Sequence, residues 1–84
     1  MGEFAKLWGT GDDQVVVLLQ SDEEGKPEVR TFFNPPDLGV SSVAISFKDT
    51  DAGCDAAERM FVAQTEESTR NMIKKTLEKI GLGG

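Results

Sequence analysis

The hydrophobic periodicity of this 84-residue chain changes once along its length. In residues 42–47 apolar side chains alternate with small or polar ones, and this period of two is typical of a strand with one buried face. From Asp51 onward the apolar residues recur every three or four positions, which is the period of a helix that buries one side. Because strand patterns come first and helix patterns second, the sequence predicts an α+β fold.

Strand patterns occur in four segments before the first helix. They cover residues 3–8, 15–19, 28–33 and 42–47. Turns rich in glycine, aspartate or proline separate these segments, and such short turns join antiparallel neighbours. We therefore expect an antiparallel meander of three or four strands, followed by two C-terminal helices packed on one face. In the first strand the pattern does not decide whether Trp8 or Leu7 points inward.

The first predicted helix has a recognisable buried face and several capping candidates. Its apolar residues Cys54, Ala57 and Phe61 recur at spacings of three and four, so we expect them to face the sheet. An acceptor for the first backbone amides is available from Asp49, Thr50 or Asp51.

The second predicted helix lies at the end of the chain. Thr65 is its expected cap, and the glutamates after it are favoured by the helix dipole. Its expected buried face consists of Ile73, Leu77 and Ile80. Because residues 63–68 contain neither proline nor glycine, one continuous helix over residues 51–81 remains an alternative.

Composition limits the chemistry that the chain can perform. Histidine and tyrosine are absent, and histidine is both the commonest general base and the commonest metal ligand. A chain of this length is expected to form a single domain, residues 1–84, with a modest core and no cofactor. A single cysteine cannot form an internal disulfide, so we predict a reducing, cytoplasmic location.

The formal net charge of the chain is -6. A negative surface repels phosphate backbones and anionic lipids, so we expect no direct binding to nucleic acid or to a membrane. Fifteen acidic residues on so small a domain instead allow a second hypothesis, an acidic nucleic-acid mimic that inhibits a DNA- or RNA-binding protein. The nine basic residues mixed among them weigh against that hypothesis.

Asp49 and Asp51, directly after an apolar strand, resemble the aspartate pair of haloacid-dehalogenase-type phosphatases. The resemblance implies a nucleophilic aspartate and an acid/base aspartate, both close to magnesium. In that family the pair lies on a parallel sheet with a lysine and further aspartates nearby, whereas the strands here indicate an antiparallel meander. Metal-assisted phosphohydrolysis at this pair is therefore a third hypothesis, behind helix capping in an acidic turn.

Two further signals have structural explanations. Residues 82–84, Leu-Gly-Gly, resemble the diglycine tail of ubiquitin-like modifiers, but in that family the tail follows the last strand of a β-grasp sheet and here it follows a helix. A helix cap and a frayed end explain these glycines better. Cys54 is expected to lie in or near the core, since no histidine can activate it as a nucleophile.

The strand at residues 15–19 is apolar on both of its faces. One set of alternate residues can face the helices, but Val16 and Leu18 then have no cover. Together with Phe32 on the next strand, and with Trp8 as an aromatic anchor, they form a candidate interaction face.

The sequence thus predicts a small non-enzymatic protein-interaction or regulatory module of a bacterial or phage kind. Its interaction face has three candidate covers. These are residues 4–8 folded back over it, a partner protein, or a second copy of the chain in a weak homodimer.

Overall fold

The computed structural model describes residues 4–35 and 39–81. Within them lie the strands β1 (Ala5–Trp8), β2 (Val15–Ser21), β3 (Pro27–Phe33) and β4 (Ser41–Ser46), and the helices α1 (Asp51–Ala63) and α2 (Glu66–Lys79). The strands form one antiparallel sheet in the order β1-β2-β3-β4. The predicted α+β meander with two C-terminal helices is confirmed. Glu3, which was predicted to begin the first strand, and the predicted turn residues 36–38 lie outside the described residues.

The strand register divides the sheet into two faces. Val17 lies opposite Thr31, and Thr31 lies opposite Val43, so odd-numbered residues of β2, β3 and β4 share one side. That side, with Lys6 and Trp8 of β1, is the helix-covered face. The other side, with the even-numbered residues of β2 to β4 and the odd-numbered residues of β1, is the outer face. The predicted alternation between buried and uncovered residues is therefore correct for the central strands.

The core lies where α1 packs across the two central strands, β2 and β3. Ala57 and Phe61 of α1 meet Val17 and Val29 of the sheet, and all four are at most 3% exposed. Burying an apolar side chain of valine or phenylalanine size stabilises a fold by about 1.5–3 kcal/mol. Half-buried apolar side chains surround this cluster, namely Trp8, Leu19, Phe47 and Met60.

Cys54 is exposed, so its predicted place in the buried face of α1 is wrong. The side of α1 that faces the rest of the chain begins at Gly53, where a Cβ atom would overlap the backbone carbonyl oxygen of Lys48. Gly53, Ala57 and Phe61 are spaced by four residues and form one line along the helix. Cys54 lies about 100° further around the helix and faces outward.

Both helices begin at threonine caps. Thr50 Oγ1 accepts a hydrogen bond from the Gly53 amide at 3.0 Å, and Thr65 Oγ1 accepts one from the Ser68 amide at 3.1 Å. Ser68 Oγ accepts from the Thr65 amide at 3.0 Å, which completes a capping box. Because Thr65 has an extended backbone, α1 and α2 are separate, and the alternative of one continuous helix is wrong.

The buried side of α2 differs from the prediction at both ends. Thr69 is fully buried, and its Oγ1 donates to Gln64 Oε1 at 2.8 Å. Ile73 and Leu77 were predicted to be buried and are half-buried. Ile80 is exposed, so its predicted burial is wrong. Ile80 is the C-cap of α2, where the helical periodicity that would align it with Leu77 has already ended.

Gly53→Ala tests the close approach between α1 and the chain before it. At an ordinary helical position this change stabilises a protein by about 1 kcal/mol, because alanine has the higher helix propensity. Here we expect the opposite sign, a loss of about 1–3 kcal/mol in the free energy of unfolding, since the new methyl group must displace the Lys48 carbonyl. Chemical denaturation measures the change.

The control for this experiment is Cys54→Ala at the exposed neighbouring position. It should alter the free energy of unfolding by less than about 0.5 kcal/mol. A Gly53→Ala protein that is more stable than the wild type would show that the approach to Lys48 is not restrictive.

Candidate interaction surface

The outer face carries a group of neighbouring apolar residues on β1, β2 and β3. Leu7, Val16 and Phe32 form one cross-strand row, and Ala5 and Leu18 form the next. Val16, Leu18 and Phe32 are half-buried, and Leu7 is 59% exposed. We call these five residues the apolar patch. Three of the four residues predicted for the interaction face, Val16, Leu18 and Phe32, therefore lie together.

Trp8, the fourth predicted residue, lies on the opposite side of the sheet. It pairs with Val15 and packs against the core, so it belongs to the helix-covered face. Leu7 occupies the corresponding place in the apolar patch. Sequence reasoning missed Leu7 because the inward and outward patterns of such a short strand fit equally well, and a shift of one residue exchanges the two faces.

Lys6 fixes which way β1 faces. Its ammonium group donates to three carbonyls at the C-terminus of α1, those of Phe61 at 2.8 Å, Val62 at 3.0 Å and Gln64 at 3.0 Å. It also lies 4.9 Å from the centre of the Phe61 ring, within the range of a cation–π contact. The last carbonyls of a helix lack intrahelical donors and form the negative end of its dipole, so a cation is favoured there. With Lys6 directed to α1, Leu7 points outward.

The N-terminal strand does not fold over the apolar patch. β1 pairs edge to edge with β2, and the Leu19 amide donates to the Phe4 carbonyl at 2.9 Å just before β1 begins. The alternative in which residues 4–8 fold back over Val16 and Leu18 is therefore wrong. By pairing beside β2, this strand adds Leu7 to the patch.

A charged network bounds the patch beyond Leu18. Glu28 is only 2% exposed although it lies on the outer face. Its carboxylate accepts hydrogen bonds from Arg30 Nε at 3.3 Å, Arg30 Nη2 at 3.2 Å and Gln20 Nε2 at 3.0 Å. Arg30 Nη1 also donates to Ser42 Oγ at 2.8 Å. Because the carboxylate of Glu28 and the guanidinium of Arg30 are paired, this part of the outer face is polar but has no net charge.

Acidic turns lie at both ends of β2. The turn before it includes Asp12 and Asp13, and the turn after it includes residues 22–24. Arg70 of α2 binds Asp13 across the first turn, with Nη1 3.0 Å from Oδ1. A hydrogen bond to Glu66 is the main cause of the raised pKa of Arg70; desolvation, the next largest effect, lowers this pKa, and the contacts with Asp13 raise it further. The second turn contains the exposed ion pair of Lys26 and Glu24 and carries a net negative charge.

A groove lies between α2 and the end of the sheet. It has a volume of about 490 Å³, and its apolar walls are formed by Val15, Phe33, Ile73 and Leu77. Arg70 also lines it. Ile73 and Leu77 line this groove without filling it, which accounts for their partial exposure.

Asp49 and Asp51 lie on either side of the capping residue Thr50, and both are exposed. They follow an antiparallel edge strand, whereas the phosphatase arrangement needs a parallel sheet. Among residues 4–35 and 39–81, no three side chains of histidine, cysteine, aspartate or glutamate come together as a metal site. The diglycine-like tail, residues 82–84, lies outside the described residues.

Known proteins give no indication of the function of this chain. No family model and no curated protein matches it. No solved structure matches its fold. In the described part of the chain, neither helix is long and apolar enough to cross a membrane. Its function is therefore inferred from its own surface.

Lys6→Met tests the contact that orients β1. The variant keeps most of the apolar stem and removes the ammonium group, so three carbonyls of α1 lose their donor. We expect the free energy of unfolding to fall by about 1–2 kcal/mol. Hydrogen exchange should place the loss at β1, with faster exchange of the Leu19 amide and smaller changes between β2 and β3.

Lys75→Met on the exposed side of α2 is the matched control for this variant. It should leave both the stability and the exchange of the Leu19 amide close to those of the wild type. A loss of protection spread equally over all strands would contradict a role of Lys6 specific to β1.

Addition of magnesium or calcium tests the interpretation of Asp49 and Asp51. If they only flank a helix cap, about 10 mM of either ion should leave the melting temperature and the amide spectrum unchanged, since an ion that does not bind the folded state does not stabilise it. The double variant Asp49→Asn/Asp51→Asn controls for general effects of salt. Shifts at these positions that disappear in the double variant would support the phosphohydrolase hypothesis instead.

Proposed function

We propose that this chain is a non-enzymatic, cytoplasmic protein-interaction module that binds its partner through the apolar patch. The observation that carries the proposal is the one-sided cover of the sheet: α1 buries the helix-covered face, and Leu7, Val16, Leu18 and Phe32 remain accessible together on the other. Single apolar residues on a surface are common, but a contiguous group with polar residues around it is typical of a binding site.

The surroundings of the patch indicate the chemistry of the partner. The acidic turns at Gly11–Asp13 and at residues 22–24 lie at its two ends, on a chain whose net charge is -6. A protein whose binding surface has an apolar centre and basic residues around it would complement both the apolar patch and the acidic turns. Face-to-face contact between two copies, the homodimer considered from the sequence, would bring like-charged turns toward each other.

An acidic nucleic-acid mimic is the second candidate function, since it would also bind a basic protein. A mimic needs free carboxylates at the spacing of phosphates. Several acids are already paired, in the bridges Glu24–Lys26, Glu28–Arg30, Asp13–Arg70 and Glu66–Arg70. This pairing favours the module, and the two candidates differ in whether the apolar patch or the carboxylates dominate the binding.

Leu18→Lys places a charge in the middle of the apolar patch. A partner captured from the source organism by the wild-type chain is purified, and its affinity for the variants is measured by calorimetry. We expect Leu18→Lys to weaken binding by about tenfold to hundredfold, because a buried apolar contact is replaced by a charge that must be desolvated. Val62→Lys, at a position of α1 that is 67% exposed, is the matched control and should bind as the wild type does.

The footprint of the purified partner separates the two candidates. For the module, amide shifts should centre on Leu7, Val16 and Phe32, and neutralising the acids of residues 22–24 should weaken binding less than Leu18→Lys does. A footprint on the acidic turns, with binding that falls steeply with salt, would favour the mimic. If the wild type captures no partner and Leu18→Lys is strongly destabilised, this face belongs to the core and the proposal is wrong.

A further inference from the structure

β4 forms an open edge of the sheet. In the strand order β1-β2-β3-β4 it pairs with β3 alone, and no described strand lies on its other side. It is six residues long, against four for β1 at the opposite edge. An edge strand presents a row of unpaired backbone donors and acceptors, which another strand can use.

The direction of these backbone groups follows from one hydrogen bond. The Phe47 amide donates to the Pro27 carbonyl at 2.8 Å, in continuation of the register between β4 and β3. Bonded and non-bonded residue pairs alternate in an antiparallel ladder, so the odd-numbered residues of β4 bond to β3. The even-numbered residues point their N–H and C=O groups away from the sheet. These are Ser42, Ala44 and Ser46.

β4 lacks the features that usually protect an edge strand from pairing. It contains no charged residue and no proline, and its register with β3 runs without a bulge. Its outward backbone groups belong to serine and alanine, whose small side chains let another strand approach closely. On the helix-covered side Ile45 is 39% exposed, although it is a large apolar residue.

We propose that two copies of this chain pair through β4, antiparallel, about a two-fold axis at Ala44. In this register Ala44 lies opposite Ala44 of the second copy, and Ser42 lies opposite Ser46 of the second copy. Each of the three outward residues then forms two backbone hydrogen bonds, N–H to C=O and C=O to N–H, with the residue opposite it in the second copy. If the register between the two copies of β4 shifted by one residue, the outward N–H and C=O groups of one copy would face residues of the other whose groups point inward to β3. A shift of two residues would leave one outward residue of β4 without a partner in the other β4.

The side chains of β4 fit this register. Val43 of each copy comes to lie beside Ile45 of the other on the helix-covered side. Pairs of β-branched residues at directly opposite positions stabilise sheets, and this pairing covers the exposed part of Ile45. On the outer side only serine and alanine side chains meet, so nothing large obstructs the approach.

Charge favours a second copy as the occupant of this edge. β4 carries no charge, and Lys48, which follows it, comes opposite Val40 of the second copy, so no like charges oppose each other along the pair. The turn at residues 22–24 lies near the Ser46 end of β4. The two-fold axis places the two copies of this turn at opposite ends of the joint sheet, in contrast to face-to-face contact between apolar patches.

Ala44→Pro tests the pairing with little disturbance of the fold. It removes an outward N–H group and leaves the ladder with β3 intact, which is the setting in which edge strands tolerate proline. Sedimentation equilibrium from about 1 μM to about 1 mM measures the dissociation constant of the dimer. We expect the wild type to dimerise and Ala44→Pro to raise that constant at least about tenfold. Asp51→Pro is the matched control: proline is tolerated at the first position of a helix, and this variant should dimerise as the wild type does.

A second variant protects the experiment against a failure of Ala44→Pro to fold. Ile45→Lys places a charge opposite Val43 of the second copy and should weaken the dimer about as much as Ala44→Pro does. Val62→Lys should leave the dimer unchanged. In the wild type, hydrogen exchange of the Ala44 amide should slow as the protein concentration rises.

Three results would overturn the proposal. The wild type could stay monomeric up to about 1 mM. The dimer could persist in both Ala44→Pro and Ile45→Lys and disappear in Leu18→Lys, which would assign it to the apolar patches instead. The Ala44 amide could become protected only when a different protein is added, which would assign the edge to that protein.

Discussion

The contact between α1 and the two central strands is the interaction on which the rest of the structure depends. Ala57 and Phe61 bury Val17 and Val29, and Gly53 allows the start of the helix to approach Lys48 closely. A chain of 84 residues supplies little more than one such layer, because small domains bury a small share of their surface. The sheet is therefore covered on one face, and the exposure of the other follows directly from the size of the chain.

The end of α1 determines how the uncovered face is composed. Its last carbonyls bind Lys6, and this contact turns the even-numbered residues of β1 inward and Leu7 outward. An interaction inside the domain thus sets the extent of the apolar patch on its surface. The buried carboxylate of Glu28, paired with Arg30, sets the opposite limit by making the next cross-strand positions polar.

The two proposed surfaces of this chain lie on different parts of the sheet and are compatible. The apolar patch lies on β1 to β3, and the open edge belongs to β4. Pairing through β4 would place two patches on one continuous sheet. A partner with two matching sites would then bind both at once, and its overall affinity would exceed that of either patch alone.

The sequence by itself determined the fold class, the cap of the second helix and most of the candidate surface. Alternation in β2 and β3 placed Val16, Leu18 and Phe32 on one side, because side chains two residues apart share a face whatever surrounds them. The tertiary structure decided the positions of Trp8, Cys54 and Ile80. The facing of β1 depends on where α1 ends, and the exposure of Cys54 depends on which line of the helix meets the chain before it. The first is a contact between distant segments, and the second depends on the close approach of Gly53 to Lys48; the period of a strand or a helix encodes neither.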